Sequence, residues 1–171
     1  MSGIKRTPED ALFSRFVRAR AGFRCESCGK HSNSECAHIF GRRHTRLRAD
    51  EYNAVCLCHS CHRHYTENPV EFTGWLKAQP HIGPDVLDTL MERRNDTGKL
   101  TIDERLDNAE HLRDKLREWG DDEADELYRK AVNWLQGNKR KRAKKAAKKK
   151  ASAKVGSGKY KRKVSGEVVE R

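Results

Sequence analysis

The chain has 171 residues, of which 36% are charged and 35% hydrophobic, and its 37 Lys and Arg against 25 Asp and Glu leave a net charge of +12. No stretch approaches the length of a membrane span, and Met1 to Arg6 is followed by no apolar run of the signal-peptide kind. These features exclude a spanning segment and predict an intracellular, cytoplasmic protein whose thiols stay reduced.

In chain order, Thr7-Pro8-Glu9-Asp10 has the form of a helix start, with a capping hydroxyl, proline at the first helical position and acids at the positive helix end. Leu12, Phe13, Phe16 and Val17 follow at helical spacing as its buried face, and Gly22 ends it. A Cys-x-x-Cys pair, Cys25 and Cys28, comes next. Glu35 to Phe40 reads as a strand, residues 41 to 48 as a basic loop, and the chain returns through Asp50 to Leu57 as a second strand. A second pair, Cys58 and Cys61, opens a helix. Asn68-Pro69 starts a short helix through Trp75 and Leu76, whose aromatics are expected to cover the cysteine module. Gly83-Pro84 begins another. Thr101-Ile102-Asp103-Glu104 has capping-box form, with Ile102, Leu106, Ala109, Leu112, Leu116 and Trp119 recurring every three or four residues. Asp121 to Leu135 reads as the last helix. The apolar face of this region is expected to serve as core, with a homodimer or a protein partner as its other use.

Charge divides the chain into parts. Between Lys139 and Lys163 there are 14 Lys and Arg and no acid, more than the whole net charge. Residues 1–80 are basic and residues 81–138 acidic, which predicts a basic module with an N-terminal helix, an acidic helical region, and a basic tail over 139–171. Like-charge blocks with little apolar area predict disorder in that tail and an affinity for phosphate that needs no sequence choice. Tyr160 is its only aromatic residue, so base stacking is not its main mode.

Two Cys-x-x-Cys pairs separated by 29 residues supply four thiolates to one tetrahedral structural Zn²⁺ at Cys25, Cys28, Cys58 and Cys61. A disulfide framework is disfavoured in a reducing compartment. Cys36 and Cys56 are left over and read as packing residues.

Between and behind the knuckles stand His38, Asn53 and His62. Taken singly, His38 fits a packed strand histidine, Asn53 a turn residue and His62 a substitute zinc ligand. Their order and spacing, fifteen and then nine residues apart, resemble the HNH family of His-Me finger endonucleases over about residues 23 to 66. The wider string, with Phe13-Ser14-Arg15, Cys-Ala-His-Ile-Phe-Gly-Arg-Arg and Asn68-Pro69-Val70-Glu71-Phe72, is similar to phage-encoded HNH and NinG-type recombination nucleases. The resemblance implies an α+β fold, a small ββα-metal zinc-knuckle module flanked by α-helices, in a phage-encoded protein acting in a bacterial host. It implies His38 as general base and Asn53 and His62 as ligands of a catalytic Mg²⁺, Mn²⁺ or Ni²⁺, because hydrolysing a phosphodiester needs an activated water and a Lewis acid. Many family members carry an acid or histidine just before the catalytic histidine. Ala37 stands there instead, so either Asn53 and His62 suffice or Glu35 or His44 substitutes. Arg42, Arg43, Arg46 and Arg48 are expected to hold the DNA backbone.

The reading is therefore a divalent-metal-dependent DNA endonuclease. Its rivals are a non-catalytic zinc-finger DNA-binding protein and a recombination or packaging accessory factor recruiting a partner through the acidic helices.

Overall fold

A computed structural model describes residues 5–31 and 33–157. It is a mixed α+β structure, with six helices and one two-stranded antiparallel sheet among the described residues. None of these helices is long and apolar enough to cross a membrane. The chain divides into two compact units, 1–135 and 136–171.

Helix α1, Pro8–Arg20, starts where its sequence directs. Thr7 accepts from the Asp10 amide while the Asp10 carboxylate accepts from the Thr7 amide, a reciprocal cap that satisfies two otherwise orphaned donors. Strands β1, Ser34–His38, and β2, Ala54–Cys58, pair with Ser34 opposite Cys58 and His38 opposite Ala54. Then come α2, His59–Glu67; α3, Pro69–Lys77; α4, Gly83–Arg94; and α5, Ile102–Glu118, which has a second reciprocal cap between Thr101 and Glu104.

Every residue of β2 is buried, because the ribbon separates two cores. Successive strand side chains point to opposite faces. Ala54 and Cys56 face a helical core built by Leu12, Phe13, Phe16 and Val17 of α1 with Ala109, Leu112 and Leu116 of α5. Val55 and Leu57 face a second core with Cys25, Tyr65, Leu76, Ile82 and Leu87. Tyr65, Phe72 and Trp75 stack there on one another, as the aromatic cover expected from the sequence.

The division expected after residue 80 is not a division of packing. Helix α5, in the acidic region, spends its apolar stripe on α1, and Ala124, Ala131 and Tyr128 pack against the same core. Buried ion pairs reinforce this: Arg105 holds Glu9, and Arg15 holds Asp121 at 2.6 Å.

The last helix, α6, runs Ala124–Ser157, far beyond Leu135. Disorder from residue 139 is thereby corrected as far as Ser157. Lys, Arg and Ala are strong helix formers, and a helix already nucleated over 124–135 adds residues without a new nucleation cost. Helical spacing sets Lys141, Arg142, Lys144, Lys145, Lys148 and Lys149 on one side of it. The rest of the expected tail, Gly158 to Arg171 with Tyr160, lies outside the described residues.

Candidate functional site

The four knuckle cysteines converge. The sulfurs of Cys25, Cys28, Cys58 and Cys61 all lie within 4.8 Å of one another, with Cys28 and Cys58 Sγ 3.8 Å apart. Four thiols at this separation suit a tetrahedral structural metal such as zinc. The knuckle is anchored from behind: the Cys25 amide donates to the Lys30 carbonyl, and the Glu26 carboxylate accepts from the Cys56 amide. Cys36 and Cys56, as expected, are not part of the cluster and face each other across the ribbon. Burial pushes their thiols up to about 12 and about 11, so both remain protonated packing groups.

On the α1 side of the ribbon a pocket of about 560 Å³ is lined by both His38 and His62. Its floor is periodic in two ways. Ser34, Cys36 and His38 alternate along β1, and Asp10, Ser14 and Arg18 recur every four residues along α1. Arg6, Glu35 and Arg42 complete the rim.

His38 is fixed through one nitrogen. Its Nε2 lies 3.0 Å from the Arg48 carbonyl, and its ring packs 5.4 Å from that of Phe13. A carbonyl can only accept, so Nε2 carries the proton and Nδ1 keeps a free lone pair. Burial, helped by the Arg42 charge, holds the imidazole below its usual pKa despite that carbonyl bond, so the ring is neutral at pH 7.

His62 lies one residue behind the knuckle on α2, with Nδ1 2.7 Å from Glu35 Oε2. Glu35 Oε1 meets His59 Nδ1 at 3.1 Å. The hydrogen bond from His62, followed by that from His59, holds the Glu35 carboxyl below the usual carboxylate range.

Asn53 does not reach the pocket, and its expected role as metal ligand is corrected by its surroundings. It is fully buried at the foot of the loop joining the strands. Its Oδ1 accepts from the Phe40 amide at 2.8 Å, and its Nδ2 donates to the carbonyls of Phe40 and Leu47. Every polar atom of the side chain is thus spent closing the loop that carries Arg42 to Arg48 and presents the Arg48 carbonyl to His38. Asn53→Asp keeps the acceptor but removes both donors. It is expected to destabilise the protein by about 1–3 kcal/mol in denaturant titration, the cost of leaving the Phe40 carbonyl without its donor, whereas the Leu47 carbonyl keeps the Asp50 amide; an aspartate placed as ligand would instead tighten cation binding.

The four loop arginines separate. Arg42 lines the pocket. Arg43 is exposed beside His44. Arg46 pairs with Asp96 at 2.9 Å, and Arg48 makes a two-pronged bond to Asp10. A guanidinium engaged in this way ties the loop to α1, so the backbone-holding role expected of Arg48 is corrected to a structural one. Arg18, which with Arg15 and Arg20 reads from the sequence as off the buried face and free for solvent or phosphate, lines the pocket, whereas sequence reasoning missed the contributions of Arg6 and Asp10, although the four-residue spacing of Asp10, Ser14 and Arg18 was a legible sign of one shared helix face. His64 and His44 lie outside the pocket, bonded to Glu71 and to the Arg94 carbonyl.

Compared with known proteins, the chain matches no family model, no curated protein and no solved structure. Fold and site together define a mixed α+β protein with a four-cysteine cluster able to hold a metal and a two-histidine, arginine-lined pocket.

Proposed function

We propose that this chain is a divalent-metal-dependent endonuclease of the HNH type that hydrolyses DNA phosphodiester bonds. The observation that carries the reading is the meeting of His38 and His62 in one pocket, with His38 Nε2 held on a backbone carbonyl. His38 then presents Nδ1 as a neutral base to a water in the pocket. As the water oxygen bonds to phosphorus, its proton passes to Nδ1, the bond from phosphorus to the 3′ oxygen breaks, and the leaving oxygen takes a proton from solvent. The products are a 5′ phosphate and a 3′ hydroxyl. A divalent ion supplies the Lewis acidity that phosphoryl chemistry of this kind uses. The donor set fits such an ion, since an imidazole and a carboxylate face the same space and leave positions for water and phosphate oxygens. Arg42, Arg18 and Arg6 bring positive charge to the phosphate, and none of them has an acidic partner among the described residues.

DNA is the expected polymer because the six basic residues on one side of α6 offer charge without base readout. That helix equally favours the non-catalytic reading, a zinc-stabilised DNA-binding protein. The separating experiment incubates the zinc-loaded full chain with supercoiled plasmid in Mg²⁺, Mn²⁺ or EDTA. Relaxed or linear product only with added cation is the expected result. Binding without cutting, on duplex, branched and single-stranded substrates alike, gives the binding reading its place.

A further inference from the structure

We infer that Glu35 is the acidic ligand of the divalent cation, paired with His62 and taking the place that Asn53 does not fill. The inference rests on the nuclease reading for its location, but its chemistry comes from the pocket. A divalent ion among Arg6, Arg18 and Arg42 needs a negative ligand to offset their charge. Two acids line the space. Asp10 is committed to both prongs of Arg48 at 2.7 and 2.6 Å and to the Thr7 cap, and using it would release the loop from α1. Glu35 is bonded to no arginine or lysine among the described residues, only to the imidazoles of His59 and His62.

The geometry suits adjacent ligation. Neighbouring ligands of an octahedral Mg²⁺-sized ion, each at ~2.1 Å, sit ~3 Å apart. Glu35 Oε2 and His62 Nδ1 are 2.7 Å apart, so opening the pair by a few tenths of an ångström admits the ion, which displaces the proton between them to solvent. Both side chains are part-exposed, which leaves the remaining positions to water and to phosphate. His38, which lines the same pocket, stays outside this pair as the base. His44 does not compete, because its Nδ1 meets the Arg94 carbonyl away from the pocket.

The test measures Mn²⁺ binding to the zinc-loaded full chain by electron paramagnetic resonance of the free ion, beside plasmid cleavage in the same buffer. Wild type is expected to bind one Mn²⁺. Glu35→Gln, which preserves size and one of the two acceptor oxygens but not charge, is expected to bind at least about tenfold more weakly, the smaller loss typical even of an outer partner. The Mn²⁺ concentration for half-maximal cleavage should rise by a similar factor. His62→Gln should weaken binding comparably, with zinc content unchanged in both variants. Glu35→Gln binding Mn²⁺ as wild type does would overturn the proposal and leave Glu35 as a group that merely orients His62. Absence of Mn²⁺ binding by wild type overturns it too, whether or not the plasmid is cut. Binding that depends on Glu35 without any cleavage keeps the cation site and removes the nuclease reading.

Discussion

His38→Ala is expected to lower metal-dependent plasmid cleavage by about 10²–10⁴-fold, the range a positioned general base contributes. Zinc content should be unchanged, because His38 belongs to the pocket and not to the cysteine cluster. The effect should also carry a pH signature. Burial holds the folded pKa of His38 below the usual 6.5, so the neutral form is already dominant at pH 7. Wild-type cleavage is therefore expected to be level above that value and to decline as pH falls through the folded pKa, with no such limb in the residual activity of the alanine variant. Stability follows the same direction. Below pH 6.5 the unfolded chain takes up this proton more readily than the folded one, so the group's contribution is present above 6.5 and lost as pH falls through the folded pKa. A variant that cuts at the wild-type rate would remove His38 from the chemistry.

Zinc removal should be equally severe, but on the fold. Apparent binding free energies for structural zinc sites run to about 10–16 kcal/mol, as large as the whole stability of an ordinary domain at about 5–15 kcal/mol. Cys58→Ser, or exhaustive chelation, is expected to melt the core around Val55, Leu57, Tyr65 and Trp75, read as loss of near-ultraviolet dichroism and a red shift of tryptophan emission. His62 stands next to Cys61, so cleavage should disappear in parallel. Unchanged spectra and unfolding midpoint after complete metal removal would show that the cysteine cluster does not hold the module together.

What could be read in the chain beforehand was whatever is encoded locally. Both reciprocal caps involve residues three apart, and each Cys-x-x-Cys pair sits within one turn of chain, so spacing alone reveals them. Asn53 was misread because its partners, Phe40 and Leu47, are decided by how a loop closes. Arg48 and Arg42 look alike as letters, and only the packing of α1 against the loop gives one of them Asp10 and leaves the other to the pocket. In α6, charge repulsion argued for disorder while intrinsic propensity argued for helix, and the already formed first turns tip the balance.

The ties of α1 have a consequence for biosynthesis. Arg105 bonds Glu9 across 96 residues, and Asp121 bonds Arg15 across 106. A chain emerging from the ribosome completes this helix early, yet its partners are translated only at the far end of the folded unit. Until α5 appears, Phe13 and Phe16 are covered only from the ribbon side, and a nascent chain stalled after the knuckle is expected to expose their other face to chaperones and proteases.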